Sequence, residues 1–169
     1  MRQIVWVTIL GLFAGCDSGP NPNDPCLENE AWATIGTGET MWEDLEDGDP
    51  VIMVHGPQGG WHMLGSARVG NMGRYVQIHY TITDQESGVM VADNRYTIAL
   101  QMTDSCTGEF PGMYAYLDVT PLADGEKDTP PELLAYKELE MTMKMSNDYG
   151  DEVMETLTVI ALPDPPDID

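Results

Sequence analysis

Positive charge is scarce in this chain. Of 169 residues only 7 are Lys or Arg, against 29 Asp and Glu, for a formal net charge of −22 at pH 7. A surface this acidic repels nucleic acid and anionic lipid headgroups, which excludes binding to either through the folded surface. Long apolar runs are missing too: the only strongly apolar stretch, Ile4 to Phe13, is about half the ~20 residues a transmembrane helix needs. Enzyme signatures are absent as well. There is no Gly-x-Ser-x-Gly, no His-Glu-x-x-His and no Walker loop, and the three histidines have no spacing that favours a triad. The expectation is a chain that is not an enzyme. Cysteine is limited to Cys16, Cys26 and Cys106 without any Cys-x-x-Cys pair, a spacing that disfavours a zinc site. No repeat of 20–50 residues is visible.

What is present begins with an address. Arg2 precedes the charge-free run Ile4 to Phe13, which leads into Ala14-Gly15-Cys16. A basic start, a short apolar stretch and small residues before a cleavage point describe a secretory signal peptide. Small residues running directly into a cysteine resemble the lipobox of bacterial lipoproteins, here Leu-Phe-Ala-Gly-Cys with Phe13 in place of the usual aliphatic residue. That resemblance implies cleavage after Gly15 and lipid on Cys16, holding the chain on a membrane of the cell envelope, facing the periplasm or the cell surface. Secretion without lipid and a buried N-terminal strand are the alternatives. Loss of residues 1–15 removes one cation and no acid, leaving about 150 residues, a length that fits one domain.

The segment after Cys16 reads as a tether. Asp17 to Pro25 (DSGPNPNDP) holds three prolines, and Pro-rich chain extends at about 3.1 Å per residue. The expected division is signal peptide 1–15, lipidated cysteine and disordered tether 16–27, folded domain 28–162 and disordered tail 163–169. With Cys16 committed to lipid, Cys26 and Cys106 remain as a pair in an oxidising compartment and suggest one disulfide. Two inert thiols or membership of a ligand set are the other readings.

Within the domain the hydrophobic period is two. Val76, Ile78, Tyr80 and Ile82 alternate with polar residues over 74–84, as do Leu139, Met141, Met143 and Met145 over 138–145. Val153, Leu157, Val159 and Ala161 share a face, and 96–102 and 112–119 alternate too. Such alternation marks antiparallel sheets with one solvated face. Seven to nine short strands separated by turn signals suggest an all-β, antiparallel, immunoglobulin-like β-sandwich. Residues 130–137 (PPELLAYK) read as a helical turn or a loop. The 42% hydrophobic content is enough for a core, and most of the 12 methionines read as core filler.

One segment carries a constellation. Val51 to Val69 (VIMVHGPQGGWHMLGSARV) has two apolar runs around a Gly-rich turn, the pattern of a β-hairpin. A turn symmetric about Gln58 and Gly59 places His55 directly opposite His62, with Met53 opposite Leu64. Opposed residues have Cβ atoms about 4.5–5.5 Å apart, so two imidazoles could share a copper ion, with Met53 as a thioether ligand and His79 as a further nitrogen donor. A slip of one residue puts the histidines on opposite faces, and the whole segment is then an ordinary hairpin anchored by Trp61. The same stretch, with Gly36-Thr37-Gly38 and Asp47-Gly48-Asp49 before it, resembles a group of lipoproteins of myxobacteria and their relatives over roughly residues 32–70. That likeness implies origin and export, not an activity. Asp44, Glu46, Asp47 and Asp49 cluster nearby but fail the EF-hand pattern, since its sixth-position Gly and twelfth-position Glu are not met. The two function classes left are a membrane-anchored binding or scaffold module with an envelope protein or small ligand as partner, and a copper-binding envelope protein.

Overall fold

A computed structural model describes residues 23–56 and 59–164. The signal peptide, Cys16, most of the tether and the end of the tail lie outside the described residues. The strands are β1 (Trp32–Thr37), β2 (Glu43–Asp44), β3 (Pro50–His55), β4 (Trp61–Gly70), β5 (Tyr75–Asp84), β6 (Met90–Ala99), β7 (Gln101–Met102), β8 (Thr107–Tyr116), β9 (Glu138–Ser146) and β10 (Glu152–Leu162). One short helix, α1 (Pro130–Leu134), precedes β9. It starts at a capping box, Thr129 with Glu132, and has prolines in its first turn.

The strands form an all-β sandwich. One sheet runs β2-β1-β4-β8-β7, and the other runs β10-β9-β5-β6. β3 belongs to both. Its first residues, Pro50 to Ile52, pair with Ile160 to Leu162, while Met53 to His55 pair with β4. A strand that switches sheets makes a corner of a sandwich. The β3–β10 pairing is parallel, so the sheet is mixed where pure antiparallel pairing was expected. On the far side β6 closes toward β8: the Asp118 amide donates to the Val91 carbonyl at 2.7 Å, and the Tyr116 amide to Asn94 Oδ1 at 3.1 Å.

The alternation expected for β5 and β9 is what the fold buries. Val76, Ile78, Tyr80, Ile82, Leu139, Met141, Met143 and Met145 all face the core. From the opposite sheet come Met53, Met63, Ala67, Val69 and Met113. Methionine serves as the filler of this core, because its flexible thioether adapts to irregular gaps. Gly65 faces the opposite sheet at close range: a Cβ there would lie 2.5 Å from Met143 Cε and 2.8 Å from Tyr80 Cε1.

Two expected boundaries shift. β8 starts at Thr107, well before the alternating stretch 112–119. Its first half is broken by Pro111 and by Gly112, whose φ is +73°, and its pairing with β4 slips between Gly65 and Ala67. Pro has no N–H for a ladder and is tolerated at such a bulge. The start of the domain also moves, into the expected tether. Pro25–Glu28 is a 3-10 turn capped by Asp24, and Cys26 is buried.

Cys26 and Cys106 form a disulfide closing a loop with a sequence separation of 80. On the chain-entropy account a loop of this length contributes roughly 4 kcal/mol. It ties the entry of the chain to the turn before β8, where Asp104 Oδ1 accepts from the amides of Cys106 and Thr107 at 2.8 and 2.7 Å.

Tyr80 is fully buried, and its hydroxyl has no hydrogen-bond partner among the described residues. Burial pushes its phenol pKa well up. A buried hydroxyl without a partner costs about 1–3 kcal/mol, whereas the ring itself is core. Tyr80→Phe is therefore expected to leave stability unchanged or raise it by about 1 kcal/mol, read as the midpoint of chemical denaturation. A loss of more than that would mean the hydroxyl is satisfied in solution.

Candidate functional site

The β3–β4 hairpin is built differently from the symmetric expectation. The ladder pairs Met53 with Met63, Val54 with His62 and His55 with Trp61, one residue out of the expected register. The Gly56 amide donates to the Gly60 carbonyl at 2.9 Å and the Gly59 amide to the Gly56 carbonyl at 3.0 Å, while Gly59 and Gly60 have φ of +84° and +87°. His55 is therefore not opposite His62. It packs on Trp61, ring centroids 5.0 Å apart. Met53 is fully buried against Met63 in the core, on the face away from His62, and so leaves the expected ligand set. His79 lies on β5 in the other sheet, with Nε2 2.6 Å from Asp93 Oδ1, and so leaves it too.

The slip creates a different site. His62 now shares the outer face of its sheet with Val54 and Leu64, and its cross-strand partner on β8 is Tyr116. Tyr114 faces Leu64. Together with His55, Gly56, Gly59 and Glu39, these residues line an open groove of about 770 Å³. The His62 ring meets Tyr114 and Tyr116 at centroid distances of 5.5 Å each, with interplanar angles of 75° and 63°. Three aromatic rings at steep angles form a concave corner, not a flat stack. The glycines make room for it: a Cβ at Gly56 would lie 2.5 Å from His62 Nε2, and one at Gly60 2.6 Å from Tyr116 Cε2.

Glu39 reaches the groove because of the β8 bulge. The Gly112 amide donates to the Gly38 carbonyl at 3.0 Å, and a Cβ on Gly112 would lie 2.3 Å from the Glu39 carbonyl oxygen. The bulge thus clamps the loop after β1 against β8. From there Glu39 Oε1 accepts a hydrogen bond from the Tyr114 hydroxyl at 3.2 Å. Lost hydration and the Glu39 carboxylate hold the Tyr114 phenol above its usual pKa. The Tyr96 hydroxyl donates to the Tyr114 carbonyl, fixing the strand from β6.

A second, more polar depression of about 480 Å³ lies on the outer face of β5, β6 and β9 and is lined by His79, Arg95 and Lys144. Its charges are largely answered internally, by Asp93 on His79 and by Glu152 on Lys144 at 2.8 Å. In the acidic 43–49 loop, Asp47 Oδ1 accepts from the Thr158 amide and Asp49 Oδ2 from the Glu46 amide, at 2.7 and 2.8 Å. Those carboxylates hold the loop together and onto β10. Among the described residues no three His, Cys, Asp or Glu side chains gather as a metal-binding group.

His55 and His62 were singled out by sequence; Tyr114, Tyr116 and Glu39 were not. A usable signal existed, since Tyr114 and Tyr116 occupy the outward positions of an alternating strand and remain 43% and 51% exposed. Large aromatics on a solvated face mark interaction sites more often than core.

No protein-family description matches the chain, and no curated protein matches it. Among solved structures, the CooA pilin subunit from enterotoxigenic Escherichia coli is similar over 78% of this chain and 99% of its own, with 12% identity and a TM-score of 0.39. A likeness that distant carries no argument about this chain.

Burial, and secondarily the neighbouring His55, hold the His62 imidazole below the usual 6.5. The unfolded chain then binds a proton that the folded chain resists. The neutral ring's contribution is present above pH 6.5 and is lost as pH falls through the lower, folded value. NMR titration is expected to give His62 a pKa below 6.5, and His62→Phe is expected to lose part of the acid destabilisation seen in the parent. An His62 pKa at or above 6.5 would contradict the desolvated placement of the ring.

Proposed function

We propose that this chain is a membrane-anchored envelope lipoprotein whose β-sandwich is a non-enzymatic binding module, with the His62–Tyr114–Tyr116 groove as its binding surface. The observation that carries this reading is the placement of the two ends of the β4–β8 ladder. Gly70 pairs with Thr107 at one end, beside Cys106 and its disulfide to Cys26; His62 pairs with Tyr116 at the other, in the groove. Eight residues of β-strand separate them, about 26 Å at 3.3 Å per residue. A chain anchored through Cys16 enters the domain at the disulfide end, so the groove sits at the end of the β4–β8 ladder opposite the point of entry.

Disulfides persist in oxidising compartments outside the cytoplasm, which fits an exported domain. The lipobox-like Leu-Phe-Ala-Gly-Cys supports the anchor, and the dominance of acids over bases fits a domain that stands off anionic headgroups. The partner on the membrane side is then the lipid bilayer through the acyl chains, and on the groove side an envelope protein or a small ligand.

The anchor is tested by Cys16→Ser. The parent is expected in the membrane fraction as a processed, detergent-partitioning protein, and Cys16→Ser as soluble protein or uncleaved precursor. Dual or triple acylation gives stable anchoring where one chain does not. Normal processing and unchanged detergent partitioning of Cys16→Ser would end the lipoprotein reading.

A second reading, copper binding by His55 and His62, is favoured by one observation: both residues line the same groove, and the lowered proton affinity of His62 favours the neutral form that binds metal. Met53 plays no part in it. Copper titration of the parent is expected to show one defined site, weakened at least about tenfold by either His55→Ala or His62→Ala. Equal, stoichiometrically vague uptake by all three proteins would assign the copper to the acidic surface.

A further inference from the structure

The geometry points to an organic cation with an apolar skirt, a small quaternary ammonium compound, as the ligand of the groove on the outer face of β3, β4 and β8. This deepens the binding-module reading and rests on it. The groove has the ingredients such a ligand needs and lacks those that other ligands need. Among the described residues its lining contains no Lys or Arg, so an anion finds no permanent counter-charge there. It does contain one carboxylate, Glu39, fixed by the Tyr114 hydroxyl at 3.2 Å. The rings of Tyr114 and Tyr116 are about half exposed, at 43% and 51%, and meet His62 at 75° and 63°, which makes a corner of π-surface. A cation over aromatic faces is attracted by their quadrupole, and aromatic enclosures are how proteins recognise quaternary ammonium groups.

The floor agrees with that assignment. Val54 and Leu64 offer apolar surface beneath the rings, which suits the methyl groups of a quaternary ammonium and is wasted on a strongly hydrated inorganic ion. A volume of about 770 Å³ is in the range of small-molecule sites, about 300–1,000 Å³. At longer range, the net charge of −22 raises the local concentration of cations and speeds their encounter with the groove.

The test is an NMR titration of the ¹⁵N-labelled, detergent-solubilised full-length protein with choline and with its uncharged isostere 3,3-dimethylbutan-1-ol, EDTA being present so that metal plays no part. Choline is expected to shift the amide signals of His62, Tyr114 and Tyr116 and to bind about tenfold or more tightly than the isostere. Tyr116→Leu and Glu39→Gln are each expected to weaken choline about 3–10-fold, and Glu39→Gln to leave the isostere unchanged. Equal binding of both compounds in the groove would overturn the cation assignment while leaving the groove a binding surface for neutral ligands. Choline affinity unmoved by both substitutions, or choline shifts confined to the rest of the acidic surface, would also overturn it. Silence of the groove toward both compounds would remove the groove from the binding-module reading as well, and leave the lipid anchor to be judged by Cys16→Ser alone.

Discussion

A missing side chain sets the spacing of this sandwich. At Gly65, in the middle of β4, the ring of Tyr80 and the terminal methyl of Met143 from the opposite sheet occupy the space a Cβ would need. Protein interiors are packed at crystal-like density and cannot absorb even one extra carbon without moving, so this contact fixes how near the sheets come. β4 is also the strand on which its sheet hangs, since it pairs with β1, β3 and β8. Its inner face must alternate Met63, Gly65, Ala67 and Val69 to meet Tyr80, which commits its outer face to His62 and Leu64. The groove residues of β4 are therefore placed by the core contact on its other side.

That link explains which parts of the structure could be read from sequence. β5 and β9 show one buried and one less buried face, and their ladder with each other runs without a register shift. The disulfide was legible by elimination, through the shortage of cysteine. The hairpin register was not. Glycine at positions 56, 59 and 60 announces a turn, but the number of loop residues decides the register, and several loop lengths are open to glycines that accept positive φ. A change of one residue in that loop exchanged the faces of every side chain that followed. It turned a supposed pair of facing histidines into one histidine on Trp61 and another beside two tyrosines.

The first half of β8 was hidden for a related reason. Thr107 to Gly112 contains a proline and two glycines, residues that weaken a strand pattern, and the bulge they form has no periodic signature. Yet that bulge docks the Gly38–Glu39 segment and brings a carboxylate to the groove from 75 residues away in sequence. Tyr114 and Tyr116 arrive from the same strand. A site assembled from the β1 loop, the β3–β4 hairpin and β8 depends on pairings between distant segments, which local pattern does not encode.

Charge separates the groove from the rest of the surface. Half of the bases on this domain are held in ion pairs: Arg68 by Glu109 at 2.8 Å with Trp42 beneath it, Lys137 by Glu86 and the buried Asp84, Lys144 by Glu152. The exposed pairs among them contribute about 0–1 kcal/mol each; Lys137 also answers the buried Asp84 carboxylate. Among the described residues, the groove is lined by a carboxylate, two histidines and two half-exposed tyrosines, with no Lys or Arg. Burial of two tyrosine rings is favourable wherever the chain can arrange it. The rings stay exposed here because the other face of their strand is committed to Met113 and Ala115 in the core. The exposed aromatic corner is thus a consequence of the same strand alternation that builds the core.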